Sequence, residues 1–386
     1  MAETCLFVHN RMAEQEFRLH GRRRQAGDEM RFGIFREQAI LRMKVPVAGA
    51  QWTGMVTTLA ARLLERGEVQ GVILTGTVPG TRFQPRPLLA RTPAEVRACA
   101  GNKPSLSPLL GVLDEARAAG LRRLAVVGTG CQVQMLRQAQ SLDAGDSPGP
   151  GLSKLLDLER LDFIGIPCSD NVTYPDQQFF LRTISRSPET VVHYEFMQDF
   201  SLWLHHEDGH RERVNYIDFP MDRLQGIFPS ACLSCFDYPN ALADITIGYL
   251  GAPLGWQWVL ARTARGVELL DLLRPDLEAR PLSMAGDRTR GMPRFIQMLA
   301  RRPARPPKPV RALIAFLQRR RGPQGLEFAR AIIEMKLLRN YRYVRDKFPA
   351  LEARIVPYHF YEAIQPYAGH YAAVFGEPPE APRREG

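Results

Sequence analysis

Apolar residues recur along this chain in two rhythms, and the switching between them predicts the fold. Residues 52–66 place Met55, Val56, Leu59, Leu63 and Leu64 at the spacing of an amphipathic helix, which stops at Gly67 as a helix C-terminus does. An unbroken apolar run of strand length, 69–74, follows it. The same sequence of signals repeats as a helix over 108–120 and a short run over 121–127. Gly128-Thr129-Gly130-Cys131 then opens a helical segment over 132–139, and a further run, 161–166, leads to Cys168. Strand, helix and strand in alternation predict parallel βαβ units, whose ligands gather at the carboxyl ends of the strands. The Gly-Thr-Gly-Cys turn lies at such an end, where the first N–H groups of a helix can receive a phosphate.

Past residue 190 the rhythm changes. Strand-like alternation on both sides of Glu207-Asp208-Gly209 predicts an antiparallel ribbon over 190–214. On such a ribbon His193, Glu195 and Met197 share one face, and Tyr194, Phe196 and Gln198 the other. Residues 244–249 predict another strand, closed by Gly251. Three stretches lack periodicity: residues 1–45, apart from the strand material FGIFREQAILRMKV; the Asp/Gly/Ser/Pro-rich loop 144–152; and the Pro/Arg-rich connection 284–309, longer than an ordinary loop. Residues 326–341 are the clearest helix of a helical tail. The expected class is α/β with mixed α+β character: a parallel-sheet core, an antiparallel ribbon, a cysteine region and a C-terminal helical tail. The units divide as 1–45, 46–143, 153–283, 284–309 and 310–386, and no internal repeat joins them.

Composition narrows the classes. At 386 residues with 45% apolar content, the chain can build more than one core. No apolar run approaches the ~20 residues of a membrane span. The net charge of +10 is mostly arginine, concentrated over 18–24 and 288–321, and suits an acidic partner, either a protein or a substrate carboxylate. Nucleic acid is the other class such a charge allows, but no groove-reading or base-stacking module is present. Six cysteines are too few for a disulfide scaffold, and no charged-then-apolar leader opens the chain, so a reducing cytoplasm is expected.

Four of those cysteines carry the chemistry. Cys131 in GTGCQ, Cys168 in IPCSDN and the pair Cys232 and Cys235 in CLSCFDYPN stand in three turn settings. A Cys-x-x-Cys pair supplies two thiolates from one turn, and a soft metal or an iron-sulfur cluster takes about four. Zinc remains open on this evidence, although its second pair usually comes from another close-spaced motif. Cys99, on a predicted helix, reads as structural.

With GAQWTGMVTTLAARLL and NKPSLSPLL ahead of them, these segments resemble the beta subunits of deazaflavin-coenzyme hydrogenases and dehydrogenases. HYEFMQDF, HHEDGH, PSACLSCFDYPNALADITIGYLGAP and GPQGLEFAR are similar to one branch: the ferredoxin-dependent divinyl chlorophyllide 8-vinyl reductases and the 7-hydroxymethyl chlorophyll reductases. The resemblance implies FAD, 4Fe-4S clusters and reduced ferredoxin as donor. It assigns Cys131, Cys168, Cys232 and Cys235 to one cluster beside the flavin. It also implies a second cluster, held by an N-terminal C-x-x-C-x-x-C run and one more cysteine. Here only Cys5 matches, as a remnant ligand, so that cluster is not expected on this chain; a start placed too late and a lost outer cluster both explain the difference.

A flavin needs a phosphate cradle and a place for its ring. Gln51, Trp52, Thr53, Gly54 and Thr57 at a helix N-terminus, Lys103 with Ser105 and Ser107, and Gly128, Gly130 and Gln132 at the strand end are the candidates. Ferredoxin gives single electrons, whereas saturating a carbon-carbon double bond takes a hydride equivalent and a proton, so a two-electron cofactor and a weak acid are both required. His193, Glu195 and Asp199 are the candidate proton donors, with Tyr194, His205 and His206 near them; Asp237, Asn240 and Asp244 fit turn capping better. The implied reaction converts the 8-vinyl group of divinyl chlorophyllide or protochlorophyllide to ethyl. Alternatives are reduction of a 7-hydroxymethyl group and an electron-transfer subunit within a larger hydrogenase-like complex. The oligomeric state is not legible.

Overall fold

The computed structural model describes residues 6–141, 152, 156–224, 226–301, 305–321 and 325–380. The eleven strands are β1 (Glu37–Met43), β2 (Gly71–Thr77), β3 (Pro85–Ala90), β4 (Arg123–Thr129), β5 (Arg160–Ile166), β6 (Val191–Phe196), β7 (Ser201–His206), β8 (Arg211–Asn215), β9 (Ile245–Gly248), β10 (Gln257–Ala261) and β11 (Leu277–Arg280). Eight form one sheet in the order β11-β1-β10-β9-β5-β4-β2-β3, and β6-β7-β8 form a second. At the centre β2, β4, β5 and β9 run parallel. The outer strands pair antiparallel.

The central strands are unbroken apolar runs because both their faces are covered. On one face the helix Met55–Glu65 sets Met55, Leu59 and Leu63 against Val72, Ala125 and Ile164, beside Leu269 and Leu270 of a second helix. On the other, Ile73, Leu124 and Phe163 pack on Val133 and Leu136 of the helix Gly130–Ser141. The long helix Leu326–Lys347 builds a third core with Trp258, Leu260 and Ile40. The three-stranded sheet has its own aromatic core, with Tyr194, Phe180 and Leu204.

Several expected elements take a different form. The stretch 284–309 is not an aperiodic connection: it holds the helix Arg288–Ala300 and the start of the helix Lys308–Arg321. Asp287 caps the first by accepting from Arg290 N, and Met292 and Ile296, four residues apart, are its buried stripe. Proline and arginine content hid that short stripe. Residues 1–45 are likewise not irregular throughout, since Met12–His20 and Glu29–Phe32 are helices. The ribbon has three strands rather than two, because Met197–Phe200 makes a further turn with Phe200 at φ 58°. The helix over 108–120 splits into a 3-10 turn, Leu109–Val112, and the helix Leu113–Ala118. Of the loop 144–152, all but Leu152 lies outside the described residues.

One buried polar network ties these layers together. Arg262, fully buried, donates to Thr246 Oγ1 (2.8 Å) and to the carbonyls of Phe32 (2.8 Å), Ile34 (3.0 Å) and Pro239 (2.8 Å). Among the described residues no carboxylate pairs with it, and burial pushes its pKa down to about 9. Thr246 Oγ1 in turn meets the carbonyls of Pro239 (3.1 Å) and Asn240 (3.2 Å). Asn240, also fully buried and at φ 56°, donates to Gly128 O (2.8 Å) and Ile166 O (3.4 Å). Asn240→Asp keeps the side-chain size and the left-handed backbone but turns a carboxylate toward two carbonyls. It is expected to cost about 2–4 kcal/mol, read as a lower urea midpoint; a loss below about 0.5 kcal/mol would count against the network.

Two histidines, the buried His359 and the half-buried His20, shape the pH response. Burial, with Arg24 nearby, holds His359 well below the usual histidine range. Burial and then Arg262, Arg22 and Arg137 bring His20 down to about 4. Both are neutral in the folded chain and titrate near ~6.5 when it unfolds, so the unfolded state binds more protons as pH falls. Their contribution is complete above the unfolded value and is lost below it. The melting temperature should therefore fall between pH 7 and about 5.5, above the range in which most carboxylates titrate; a flat profile across that window would contradict the assignment.

Candidate functional site

β4 and β5 are parallel and in register at Gly128 with Gly165 and Thr129 with Ile166, so they end side by side. The chain leaves β4 directly into the helix Gly130–Ser141, with Cys131 in its first turn, and leaves β5 through Pro167 to Cys168. The paired cysteines sit on the one-turn helix Ser230–Leu233 and the turn after it. The following loop, 236–244, is laid across both strand ends. Asn240 fastens it as described, Cys168 N donates to Tyr238 O (3.0 Å), and Asp237 accepts from Ala241 N (2.9 Å) and Gln134 Nε2 (2.9 Å). Gly130 is required by this approach, because a Cβ there would lie 2.6 Å from Asp237 Oδ2. Asp237 and Asn240 thus fasten the loop, and Asp244 accepts from Phe163 N (2.8 Å) and Arg137 (3.0 Å).

The helix Leu326–Lys347 closes the site from behind. Asn340 donates to the carbonyls of Cys232 (3.1 Å) and Cys235 (2.6 Å). Tyr343 OH reaches Ser230 Oγ at 2.8 Å, and Lys336 binds Ser169 O and, at 3.4 Å, Asp170 Oδ1. Gly325 lets the helix start close in: at φ 100° its N–H donates to Gly251 O (2.7 Å), and a Cβ would meet Ala285 O at 2.5 Å.

The four thiols sense one another. Burial pushes the Cys168 thiol well above its usual value; Lys336 opposes that, and Cys131, Cys235 and Cys232 add to it. Burial pushes Cys235 up to about 12, with Lys336 again opposing. Cys232 is raised by burial, against a hydrogen bond from the Asn171 backbone. Among the described residues no group of three or more Cys, His, Asp or Glu side chains is set to hold a metal ion. Cys99 lies apart, its sulfur 3.3 Å from a Cβ built on Gly76. Cys5 lies outside the described residues.

Gln51 to Gly54 form a tight turn before the helix Met55–Glu65, with Trp52 at φ 56° and Gly54 at φ 80°. Trp52 packs on Tyr249 with ring centroids 4.9 Å apart, and its buried indole N–H has no protein partner. Tyr249 is near enough to Cys168 for that thiol to raise its phenol pKa, after burial. Thr53 is structural: its hydroxyl takes a hydrogen bond from Met43 N (3.1 Å) and donates to Gln257 Oε1 (2.7 Å). Thr57 lines a pocket with Met43, Val47 and Arg62.

Lys103 does not present its ammonium to a ligand. It donates to the carbonyls of Cys99 (2.6 Å), Ala100 (3.0 Å) and Gly101 (3.2 Å), closing the end of the helix Pro93–Ala98, and burial lowers its pKa. Ser105 and Ser107, by contrast, hold buried hydroxyls without protein partners. Gln132 joins this segment to the end of β4, donating to Ser107 O (3.1 Å) and accepting from Thr129 N (2.9 Å); it lies 3.2 Å from a Cβ built on Gly128.

On the ribbon His193 pairs with His205 and Glu195 with Trp203 across β6 and β7. His193 Nε2 is 3.5 Å from Glu195, and His205 Nε2 is 4.0 Å from the same carboxylate; burial lowers the His205 pKa. A Cβ on Gly101 would come within 3.3 Å of His193, so this face meets the turn that leads into Ser105 and Ser107. Tyr194 points the other way and accepts from Gln177 Nε2 (2.6 Å). His206 also leaves the His193 face, bonding Thr190 Oγ1 at 2.7 Å. Asp199 is committed to its turn, taking Ser201 N (3.2 Å), Ser201 Oγ (2.5 Å) and Arg213 (2.5 Å).

Sequence reasoning missed Lys336, Asn340 and Tyr249. A signal for Asn340 existed: it falls on the helix stripe of Ile333, Leu337, Tyr341 and Val344, where a polar residue must find a buried partner.

Comparisons with known proteins agree with this architecture. The models of the coenzyme F420 hydrogenase/dehydrogenase beta subunit match residues 41–114 with the N-terminal part and 121–284 with the C-terminal part. The 7-hydroxymethyl chlorophyll a reductase of Oryza sativa is 41% identical over 361 residues, spanning 88% of this chain and 73% of its own. An uncharacterized protein of Nostoc sp. is 41% identical over 357 residues, 92% of this chain and 86% of its own. The coenzyme F420 hydrogenase subunit beta of Methanothermobacter thermautotrophicus is 31% identical over 224 residues, 57% of this chain and 74% of its own. A chain of the F420-reducing [NiFe] hydrogenase complex from Methanosarcina barkeri shares the fold, with a TM-score of 0.59 and 24% identity over 82% of this chain and 94% of that one. No described helix is long and apolar enough to cross a membrane. The chain belongs to the coenzyme F420 hydrogenase/dehydrogenase beta-subunit family of redox proteins, in the branch that includes the rice chlorophyll reductase.

Proposed function

We propose that this protein is a ferredoxin-dependent reductase that converts the 8-vinyl group of divinyl chlorophyllide or protochlorophyllide to ethyl. FAD and one 4Fe-4S cluster would serve it, the cluster held by Cys131, Cys168, Cys232 and Cys235. The observation that carries the reading is the gathering of these four thiols, from three separate segments, into mutual electrostatic range. Their chemistry fits a cluster. All four donors are sulfur, and Lys336 beside three of them favours the thiolate form.

The chain also fits a flavin. Trp52 Nε1, Ser105 Oγ and Ser107 Oγ are buried polar atoms without partners among the described residues, the kind of groups that a phosphate-bearing ligand satisfies. When bound, the cluster and flavin supply one-electron delivery and a two-electron store. The chain's own contribution is position and a proton. Trp52, in the 51–54 turn, packs on Tyr249, whose phenol is within electrostatic reach of Cys168. His193 and Glu195 are the proposed proton donors, on the ribbon face that meets the Gly101 turn. Asp199, with Ser201 and Arg213 on its carboxylate, holds the ribbon turn instead.

A second reading, reduction of a 7-hydroxymethyl group, is supported by the rice relative. Both reactions need electrons in pairs and a proton, so the same site serves either. Each single Cys→Ser change at the four positions should lower iron and acid-labile sulfide after anaerobic reconstitution by about half or more, because a four-iron cluster needs about four thiolates. Cys99→Ser should retain them. Unchanged iron in the four variants would remove the cluster assignment. An anaerobic assay with reduced ferredoxin, offering divinyl and 7-hydroxymethyl substrates side by side, should yield the 8-ethyl product. Conversion of the hydroxymethyl substrate alone would replace the proposal with the second reading, and activity only with co-purified large subunits would make the chain an electron-transfer subunit.

A further inference from the structure

We propose that the helix Lys308–Arg321 lies on an anionic lipid surface, with its outward apolar face entering the headgroup boundary. The helix is built inside out. Val310, Leu313, Phe316 and Leu317 remain 43%, 58%, 45% and 39% exposed, and of its large apolar residues only Ile314 turns toward the protein. At 100° per residue these four share one face, while Ile314, Ala315, Gln318 and Arg311 occupy the opposite side, turned to the protein. No residue of the helix belongs to any of the four core clusters. What holds it is polar: Arg311 pairs with Asp218 at 2.7 Å, and Arg305, just before the helix, donates to Asp218 O at 2.7 Å.

Charge selects the occupant of that face. Residues 308–321 contain Lys308, Arg311, Arg319, Arg320 and Arg321 and no acidic residue. Arg319 and Arg320 are exposed, and the Arg320 guanidinium lies 5.4 Å from the centre of the Phe316 ring, one turn further along the same face at the end of the helix. Basic side chains bordering Leu and Phe on a helix too short to span suit an interfacial helix, whose cations meet lipid phosphates while its apolar residues dip between them. At 14 residues the helix is about 21 Å long. A second copy of this chain would set the same cations against one another. An acidic protein such as ferredoxin would answer the cations but leave four aliphatic and aromatic side chains to be covered as well. The anionic bilayer satisfies both halves. This inference stands independently of the reaction proposed above.

The test is sedimentation of the full chain with vesicles of phosphatidylglycerol and phosphatidylcholine, against vesicles of phosphatidylcholine alone. Binding is expected to the anionic vesicles, weakening as salt is raised. Leu313→Asp with Phe316→Asp should weaken it about tenfold or more at an unchanged melting temperature, since both positions are exposed. Phe316→Trp should show a blue-shifted emission with anionic vesicles. Failure of the native chain to bind them, or undiminished binding by the double variant, would overturn the proposal. A dimer that the double variant dissociates, without vesicle binding, would assign the face to a second copy, and a ferredoxin complex lost in the variant without vesicle binding would assign it to that protein; either result replaces the lipid surface.

Discussion

Asn240 is the side chain on which the cysteine site depends. Strands β4 and β5 deliver Cys131 and Cys168 to one end of the sheet, and the pairing of β9 with β5 brings the end of the Cys232 and Cys235 segment there. That segment sends apolar residues into two cores, Phe236 and Tyr238 beside the long helix and Ala241, Leu242 and Ala243 against the helix Gly130–Ser141. Its orientation over the strand ends is set by buried hydrogen bonds, which are directional where apolar packing is not. Asn240 supplies them at the point that matters, one amide bridging the carbonyls of Gly128 and Ile166 just before each strand yields its cysteine. The left-handed backbone at Asn240 turns the side chain into the gap.

Arg262 extends this constraint across the molecule. A buried guanidinium without a carboxylate is expensive, and its lowered pKa reports that cost. Three carbonyls and the Thr246 hydroxyl offset it. Two of those carbonyls, from Phe32 and Ile34, belong to the segment that enters β1, and the third, from Pro239, belongs to the cysteine loop. The N-terminal segment and the loop are thus fixed to the same cation. Helix Leu326–Lys347 adds a separate restraint through Asn340, which holds the carbonyls of both paired cysteines. Removing one partner from such a network exposes the rest to the full penalty of unpaired burial, so its members act together rather than additively.

The sheet was legible because its signals are local. Runs such as 69–74 and 121–127 read as buried strands, and the Gly128-Thr129-Gly130-Cys131 turn read as a strand end, since each depends only on neighbours in sequence. Helix Arg288–Ala300 was not legible, because its stripe is two residues, Met292 and Ile296, inside a stretch dominated by arginine and interrupted by Pro293. Chemistry was harder than structure. Lys103 and Asp199 looked like free charged groups, but the carbonyls at the end of the helix Pro93–Ala98 and the pair of Ser201 and Arg213 claim them, and no periodicity announces such partners. Ser105 and Ser107, from the same sequence stretch, are the ones left without partners.

These assignments bear on how one family scaffold can serve different substrates. The cysteine edge is built from strand ends and buried polar contacts, so a substitution there disturbs the core. The ribbon β6-β7-β8 is a separate small sheet with its own aromatic core, and it brings the half-buried His193, Glu195 and His205 toward the Gly101 turn on the face opposite that core. Side chains on that face can change without touching β4, β5 or Asn240. On the proposed function, electron delivery and substrate choice would sit on parts of the structure with different tolerance for change. The relatives named as a chlorophyll reductase and as hydrogenase subunits can share the first and differ in the second. Sequence differences between branches should then concentrate on the ribbon face rather than at the strand ends, because only the ribbon can vary at low structural cost.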